Sequence, residues 1–177
     1  MLRSDLEHIL RAAGRITKER EFIVIGSQSI LGKVPHPPDT LTNSMEADVY
    51  PKHAPAKAEE IDGAIGERSA FHEQFGFYAH GVGPETAVLP WDWERRLVKI
   101  ENENTEGVIG WCLDPHDLAY SKLAAGREKD IEFIAEMVKH GFVTDILMQS
   151  LIQQAPAGTR EKIAPRWQII LQSHQRF

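Results

Sequence analysis

Two short stretches decide the fold of this chain, EFIVIGS at residues 21–27 and MEADVY at residues 45–50. The first is almost wholly apolar and rich in β-branched residues up to Gly26, which predicts a strand buried on both faces. The second predicts another strand, which Pro51 ends because proline has no N–H for a strand ladder. Residues 27–31 predict the first turns of a helix that follows directly on the first strand.

The Gly26-Ser27 pair stands at this strand-to-helix junction and is a candidate phosphate site. A helix N-terminus offers unpaired N–H groups and a positive dipole end, glycine lets the backbone approach closely, and the serine hydroxyl adds a donor. The alternative interpretation is an ordinary turn with a helix cap. A Walker-type phosphate loop is excluded, because one residue too many separates Gly26 from Gly32 and Val34 stands where Ser or Thr binds Mg²⁺.

Glu46 and Asp48 in the second strand are candidate metal ligands. Residues i and i+2 of a strand point to the same face, with Cα atoms about 6.6 Å apart. Two carboxylates placed in this way suit Mg²⁺, which takes oxygen ligands, and bound metal ions can clamp the attacking and leaving oxygens of a phosphoryl-type transfer. The alternative is a solvated polar face that alternates with Ala47 and Val49.

The rest of the chain predicts helices around a small sheet. Asp114 is suited to cap a helix and Pro115 to begin it, and the pattern is helical from there onward. The predicted fold class is therefore α/β (α+β), a small mixed sheet flanked by helices with a helical C-terminal part. We expect a domain over residues 1–141 and a helical extension over residues 142–177 that packs on it. Further predicted strands cover 77–82, 96–101 and 108–113, and further predicted helices cover 4–17, 57–65, 128–139, 143–153 and 158–175, the last with Pro165 as an expected break.

Lys122 borders the apolar stripe of its predicted helix. A lysine in that position needs a route to solvent or an anionic partner, and the partner can be a triphosphate or a structural acid. Arg127, Lys129 and Asp130 follow closely, and they form either a functional cluster or a solvated helix junction. The residues alone decide neither the partner of Lys122 nor the role of the cluster that follows it.

Composition limits the function classes and the compartment. The formal net charge of −6 disfavours a general nucleic-acid coat, although residues 158–177 are basic and suit either RNA phosphates or a solvated helix face. Cys112 is the single cysteine, so no intramolecular disulfide can form. No apolar run approaches membrane-spanning length and the N-terminus does not resemble a signal sequence, so we expect no membrane partner and a cytoplasmic location.

Taken together, these motifs resemble a known superfamily. Gly26-Ser27 after one strand and Glu46-Ala47-Asp48 on the next resemble the signature of the DNA polymerase β-like nucleotidyltransferases. The segment 117–130 is similar to the matching segment of the minimal nucleotidyltransferases and of the AbiEii-type toxins of type IV toxin–antitoxin systems. Residues 71–76 (FHEQFG) and 81–87 (GVGPETA) are similar to a bacterial group, the DUF6036-type nucleotidyltransferase-like family.

This resemblance implies a nucleotidyltransferase that uses Mg²⁺ (or Mn²⁺) to move a nucleotidyl group from an NTP to a hydroxyl acceptor. The acceptor classes are a protein, a tRNA end or a small molecule, and one biological setting is the toxin of a toxin–antitoxin pair. An antitoxin protein is the partner that this setting suggests, and a second copy of the chain, as a homodimer, is a further expected partner. The alternative is a catalytically silent relative that binds a protein or an RNA.

The resemblance also implies roles for particular residues. Glu46 and Asp48 ligate the metal, and Gly26 and Ser27 hold the terminal phosphates of the nucleotide. Glu101, at the end of a predicted strand, is the expected third carboxylate that deprotonates the acceptor. The helical segment contributes Lys122 to the triphosphate, Arg127 and Lys129 to nucleotide binding, and Asp130, with Lys129, to the organisation of the acceptor or the site.

Overall fold

The computed structural model describes residues 1–174 and has an α+β fold, as predicted. A five-stranded mixed sheet and eight α-helices make up the regular structure of that range. Residues 175–177, which include Arg176 of the basic segment and the last residue of the predicted 158–175 helix, lie outside it. The strands are β1 Glu21–Ile25, β2 Glu46–Pro51, β3 Tyr78–Gly81, β4 Val98–Ile100 and β5 Ile109–Cys112. The helices are α1 Arg3–Thr17, α2 Ile30–Lys33, α3 Ala58–Ile65, α4 Ala70–Phe75, α5 Pro115–Ala125, α6 Glu128–Lys139, α7 Asp145–Gln154 and α8 Ala157–His174.

The sheet has the strand order β3-β2-β1-β5-β4, so the apolar strand β1 lies at its centre. β1 runs antiparallel to β2 and parallel to β5, while β2 runs parallel to β3. Residues 22–25 of β1 are buried, which agrees with a strand covered on both faces. The register sets Ile25 of β1 beside Asp48 of β2, and Asp48 beside His80 of β3.

The chain divides into two compact units. The first contains residues 1–87 and 97–114, that is, the whole sheet with α1 to α4. There α1 buries Leu6, Ile9 and Leu10, which recur at helical spacing, and packs on α3, β2 and β5.

The second unit contains residues 88–96 and the helices α5 to α8. Its buried side chains come from all four helices, and they include Leu118, Ile134, Met148 and Trp167. The predicted break at Pro165 was wrong, because α8 continues through this residue from Ala157 to His174. The proposed division at residue 141 stays a prediction.

Candidate functional site

The carboxylates of Glu46 and Asp48 lie on one face of β2. Burial alternates along this strand, with Ala47 and Val49 buried and the two acids partly exposed. This alternation is the one that a strand period of two produces. Both carboxylates therefore emerge on the same side, where they can share a ligand.

The turn at Gly26 lies directly against the carboxylate of Asp48. A methyl group at Gly26 would come within 2.1 Å of Asp48 Oδ2, so a side chain at this position would displace the carboxylate. Two hydrogen bonds to Gly26 O fix the turn, one from Ser29 Oγ at 2.8 Å and one from the Ser29 amide at 3.2 Å. Ser27, partly buried, begins a short 3-10 turn that leads into α2. The structure thus brings the predicted phosphate turn and the predicted metal ligands together.

The side chain of His80 on β3 lies beside the two carboxylates, and the sequence did not predict it as a site residue. Its Nδ1 lies 3.1 Å from Asp48 Oδ1 and 3.9 Å from Glu46 Oε1. One ligand atom from each of the three side chains lies within 4.8 Å of the other two. The eight histidines are scattered along the chain without metal-ligand spacing, and only the pairing of β3 with β2 brings His80 beside Asp48.

Tyr78 orients the carboxylate of Glu46. Its hydroxyl donates a hydrogen bond to Glu46 Oε2 at 2.9 Å, and the two residues are register partners on β3 and β2. Burial and the bond to Glu46 raise the pKa of Tyr78 to about 12. The phenol therefore keeps its proton near neutral pH and acts as a donor.

Glu101 lies far from Glu46, Asp48 and His80. The prediction that Glu101 is the third carboxylate of the site was therefore wrong. Glu101 directly follows β4, which is three strands from β2 in the sheet, or about 14 Å at ordinary strand spacing. Ile100 pairs with Gly110, and Gly110 pairs with Phe22 near the start of β1, whereas Asp48 pairs with Ile25 at its end. Glu101 forms an ion pair with Lys99 instead.

The helical unit holds the second group of predicted site residues. Lys122 Nζ contacts Asp130 Oδ1 at 3.0 Å, and Arg127 Nε contacts Asp130 Oδ2 at 2.6 Å. Lys122 is buried and lies over the ring of Phe133, 4.4 Å from its centroid, while Lys129 is exposed. Burial opposes the ionised form of Asp130, but its hydrogen bonds to Arg127 and Lys122 outweigh burial and lower the pKa of this carboxyl. The sequence left a triphosphate or a structural acid as the anionic partner of Lys122, and in the structure the partner is the structural acid Asp130.

The ligands around β2 fit a divalent cation. Two carboxylates supply hard oxygen donors, and an imidazole nitrogen adds a third donor that divalent metals accept. The donors come from two hydrogen-bonded strands, so their backbone positions are fixed before any ion binds. Glu46, Asp48 and His80 are therefore the residues that would hold the metal.

Within residues 1–174, no helix combines the length and the apolar character needed to cross a membrane.

Comparison with known proteins gives one result. No curated protein and no solved structure matches the chain. A family model matches residues 4–162, nearly the whole of the 177-residue sequence and all five strands. The chain therefore belongs to the family described as nucleotidyltransferase of unknown function (DUF6036).

Proposed function

We propose that this protein transfers a nucleotidyl group from an NTP to a hydroxyl acceptor with the help of a divalent cation, Mg²⁺ or Mn²⁺. The observation that carries the proposal is the convergence of Glu46 and Asp48 beside the Gly26-Ser27 turn, in a chain of a nucleotidyltransferase family. In the reaction the acceptor oxygen bonds to the α-phosphorus of the NTP, the bond to pyrophosphate breaks, and the acceptor proton passes to solvent or a nearby base.

The side chains divide this work between them. The cation, when bound, neutralises phosphate charge and polarises the reacting phosphoryl group. Glu46 and Asp48 hold it from one strand, and the Tyr78 hydroxyl keeps Glu46 turned to the shared face. Gly26 leaves its backbone open to phosphate, and Ser27 adds a hydroxyl donor at the start of the next turn.

The roles of Lys122, Arg127, Lys129 and Asp130 in nucleotide binding remain predictions. The contacts of Lys122 and Asp130 are internal to the helical unit, since they form a buried ion pair. Arg127 and Lys129 are exposed cations, which suits contact with an anionic ligand. Asp130 holds both Lys122 and Arg127 through its two carboxylate oxygens.

Binding and transfer measured separately test the proposal. NTP binding in the presence of Mg²⁺ is measured by calorimetry on the wild type, on Asp48→Asn and on Glu101→Gln, a matched loss of charge at the far edge of the sheet. We expect Asp48→Asn to weaken NTP binding at least tenfold, because asparagine keeps the shape of the side chain but loses the negative charge that would bind the metal. We expect Glu101→Gln to bind NTP as the wild type does. Equal binding by the wild type and Asp48→Asn would contradict the metal role.

The acceptor and the biological setting need a different experiment. Incubation of the full chain with α-³²P-labelled NTPs and a cell extract labels the acceptor if transfer occurs, and digestion with protease or nuclease identifies its class. We propose a cytoplasmic toxin held in check by an antitoxin protein, in which case expression of the wild type arrests growth and Asp48→Asn does not. Co-purification with the product of a neighbouring gene tests the antitoxin. The mass of the free chain in solution tests the homodimer.

A second candidate function is a catalytically silent relative that binds a protein or an RNA. One observation favours it, since the group on β2 and β3 offers two carboxylates and a histidine where three carboxylates were expected. This function predicts partner capture that is equal in the wild type and Asp48→Asn, with no transfer of label by either protein.

A further inference from the structure

His80 occupies a position that a metal ligand would occupy. Two ligands of one ion, each about 2.1 Å from it, are at most about 4.2 Å apart. The distances from His80 Nδ1 to Asp48 Oδ1 and to Glu46 Oε1 are 3.1 Å and 3.9 Å, and both fall inside that limit. His80 therefore lies close enough to each acid to share an ion with it, and the three ligand atoms lie within 4.8 Å of one another.

The backbone fixes this approach. Asp48 and His80 are register partners on parallel neighbouring strands, and Glu46 is the partner of Tyr78 two residues earlier. Ala79 between them is buried, so Tyr78 and His80 share the opposite face of β3. That face is continuous with the face of β2 that carries the two acids.

The hydrogen bond from Tyr78 determines which carboxylate oxygen of Glu46 faces His80 and the shared site. The Tyr78 hydroxyl takes Oε2, whereas Oε1 is the oxygen that lies 3.9 Å from His80 Nδ1. Glu46 therefore presents one oxygen to the shared site while its other oxygen is held by the phenol.

We infer that His80 is the third ligand of the proposed metal site, and that its imidazole makes the site prefer Mn²⁺ to Mg²⁺. Magnesium demands oxygen ligands and dehydrates reluctantly, so a nitrogen ligand contributes little to its binding. First-row transition ions accept imidazole, and their affinity for nitrogen and oxygen sites rises from Mn²⁺ toward Cu²⁺. A histidine in place of a third acid adds no negative charge, so the site has two formal negative charges, which weakens the attraction on which Mg²⁺ depends.

The inference rests on the proposed function, and a metal-binding experiment without nucleotide tests it separately. The full chain, stripped of metal with EDTA, is titrated with Mn²⁺ alone and with Mg²⁺ alone by calorimetry. The loss of the spectrum of hydrated Mn²⁺ in electron paramagnetic resonance gives a second measure. We expect the wild type to bind Mn²⁺ at least tenfold more tightly than Mg²⁺.

Three variants assign the effect to His80. His80→Ala is expected to lose at least tenfold in Mn²⁺ affinity and less than threefold in Mg²⁺ affinity, because only Mn²⁺ gains from the imidazole. His80→Asp supplies a third carboxylate and is expected to reverse the preference toward Mg²⁺, and it serves equally well if the alanine variant fails to fold. His36→Ala, an exposed histidine of the first unit, is the matched control and is expected to leave both affinities unchanged.

The outcomes separate the inference from the function on which it rests. Equal Mn²⁺ affinity in the wild type, His80→Ala and His80→Asp, with binding lost in Asp48→Asn, would overturn the role of His80 and leave the proposed transfer reaction intact. Equal affinity of the wild type for Mn²⁺ and Mg²⁺ would overturn the preference. Mn²⁺ binding that survives in Asp48→Asn would instead remove the metal site itself and the proposed function with it.

Discussion

Gly26 shows how a single residue shapes the candidate site. Its backbone has φ 67° and ψ −170°, a region that is essentially restricted to glycine. The same residue lies so close to Asp48 that any side chain would overlap the carboxylate. Two independent constraints, one of backbone conformation and one of space, therefore require glycine at the point where the turn meets the carboxylate of Asp48.

A substitution at Gly26 tests both constraints. We expect Gly26→Ala to weaken Mn²⁺ binding at least tenfold and to lower the free energy of unfolding by about 1–3 kcal/mol, since backbone strain of this kind has that size. Gly76→Ala is the control, because Gly76 has φ 77° but its methyl group would meet open space. Calorimetry and thermal unfolding should show a loss of stability in both variants and a loss of metal only in Gly26→Ala. Unchanged metal binding in Gly26→Ala would contradict the contact with Asp48.

Tyr78 gives the protein a dependence on alkaline pH. The raised pKa, about 12 against an ordinary value of about 10, means that the folded state holds the phenolic proton more tightly than the unfolded chain. The resulting stabilisation is complete below pH 10 and is lost as the pH rises toward 12. We expect the wild type to lose more stability over that interval than Tyr78→Phe, in chemical unfolding followed from pH 9 to pH 12.

The comparison between these two proteins isolates Tyr78 from other alkaline groups. Burial raises the pKa of Tyr120 and raises that of Cys112 to about 12, but both groups are present in the wild type and the variant alike. Parallel stability curves for the two proteins between pH 10 and pH 12 would mean that burial and the bond to Glu46 do not raise the pKa of Tyr78 in the folded state.

At the scale of elements, pairs of neighbours hold the charged groups in place. β2 and β3 align Glu46, Asp48 and His80 by register, whereas α5 and α6 hold Lys122 and Asp130 across the turn between them. Asp130 and Lys122 are both buried, with 0% and 8% of their surfaces exposed. A buried ion pair of this kind is costly to break on one side only, because the remaining charge is left without a partner.

Removal of Asp130 is therefore expected to destabilise the helical unit. We predict that Asp130→Ala lowers the free energy of unfolding by about 3–5 kcal/mol. The double variant Lys122→Met with Asp130→Leu should recover most of this loss, since two apolar groups of similar size need no partner. Lys129→Ala, at an exposed neighbouring position, is the control and should change stability by about 0.5 kcal/mol or less. Urea unfolding of the four proteins measures the effect, and a double variant no more stable than Asp130→Ala would contradict the pairing.

At the scale of the whole molecule, each compact unit has a core of its own. The first unit centres on the buried strand β1 and the inner face of α1, whereas the second unit is built only of helices and the segment 88–96. Trp167 of α8 lies in the second core with 1% of its surface exposed, and its indole donates a hydrogen bond to Asp145 Oδ1 at 2.8 Å. The last long helix is therefore part of a core.

Two tryptophans of the helical unit allow a matched test of this core. We expect Trp167→Ala to lower the free energy of unfolding by about 3–5 kcal/mol, the usual loss for a large buried aromatic side chain. Trp91→Ala removes a side chain that is 79% exposed and should change stability by about 0.5 kcal/mol or less. Urea unfolding followed by circular dichroism measures both, and equal stability of the two variants would contradict a core role for α8.

The sequence by itself predicted all five strands, every helix except α4, and the acid pair of β2 as candidate metal ligands. Local patterns report burial, so EFIVI predicted the central strand, and the period of two placed Glu46 and Asp48 on one face. Residues 71–76 and 81–87 carried the resemblance to the DUF6036 family, which the family model confirms.

Only the tertiary structure decided which other side chains join those ligands. Strand order and register depend on contacts between residues far apart in the chain, so nothing local places His80 beside Asp48 or Glu101 at the far end of the sheet. The partner of Lys122 was undecided for the same reason, since a lysine on an apolar stripe signals the need for an anion but does not name it. The residue type alone fixes the chemistry of a side chain, whereas the packing of the whole chain determines which side chains lie next to it.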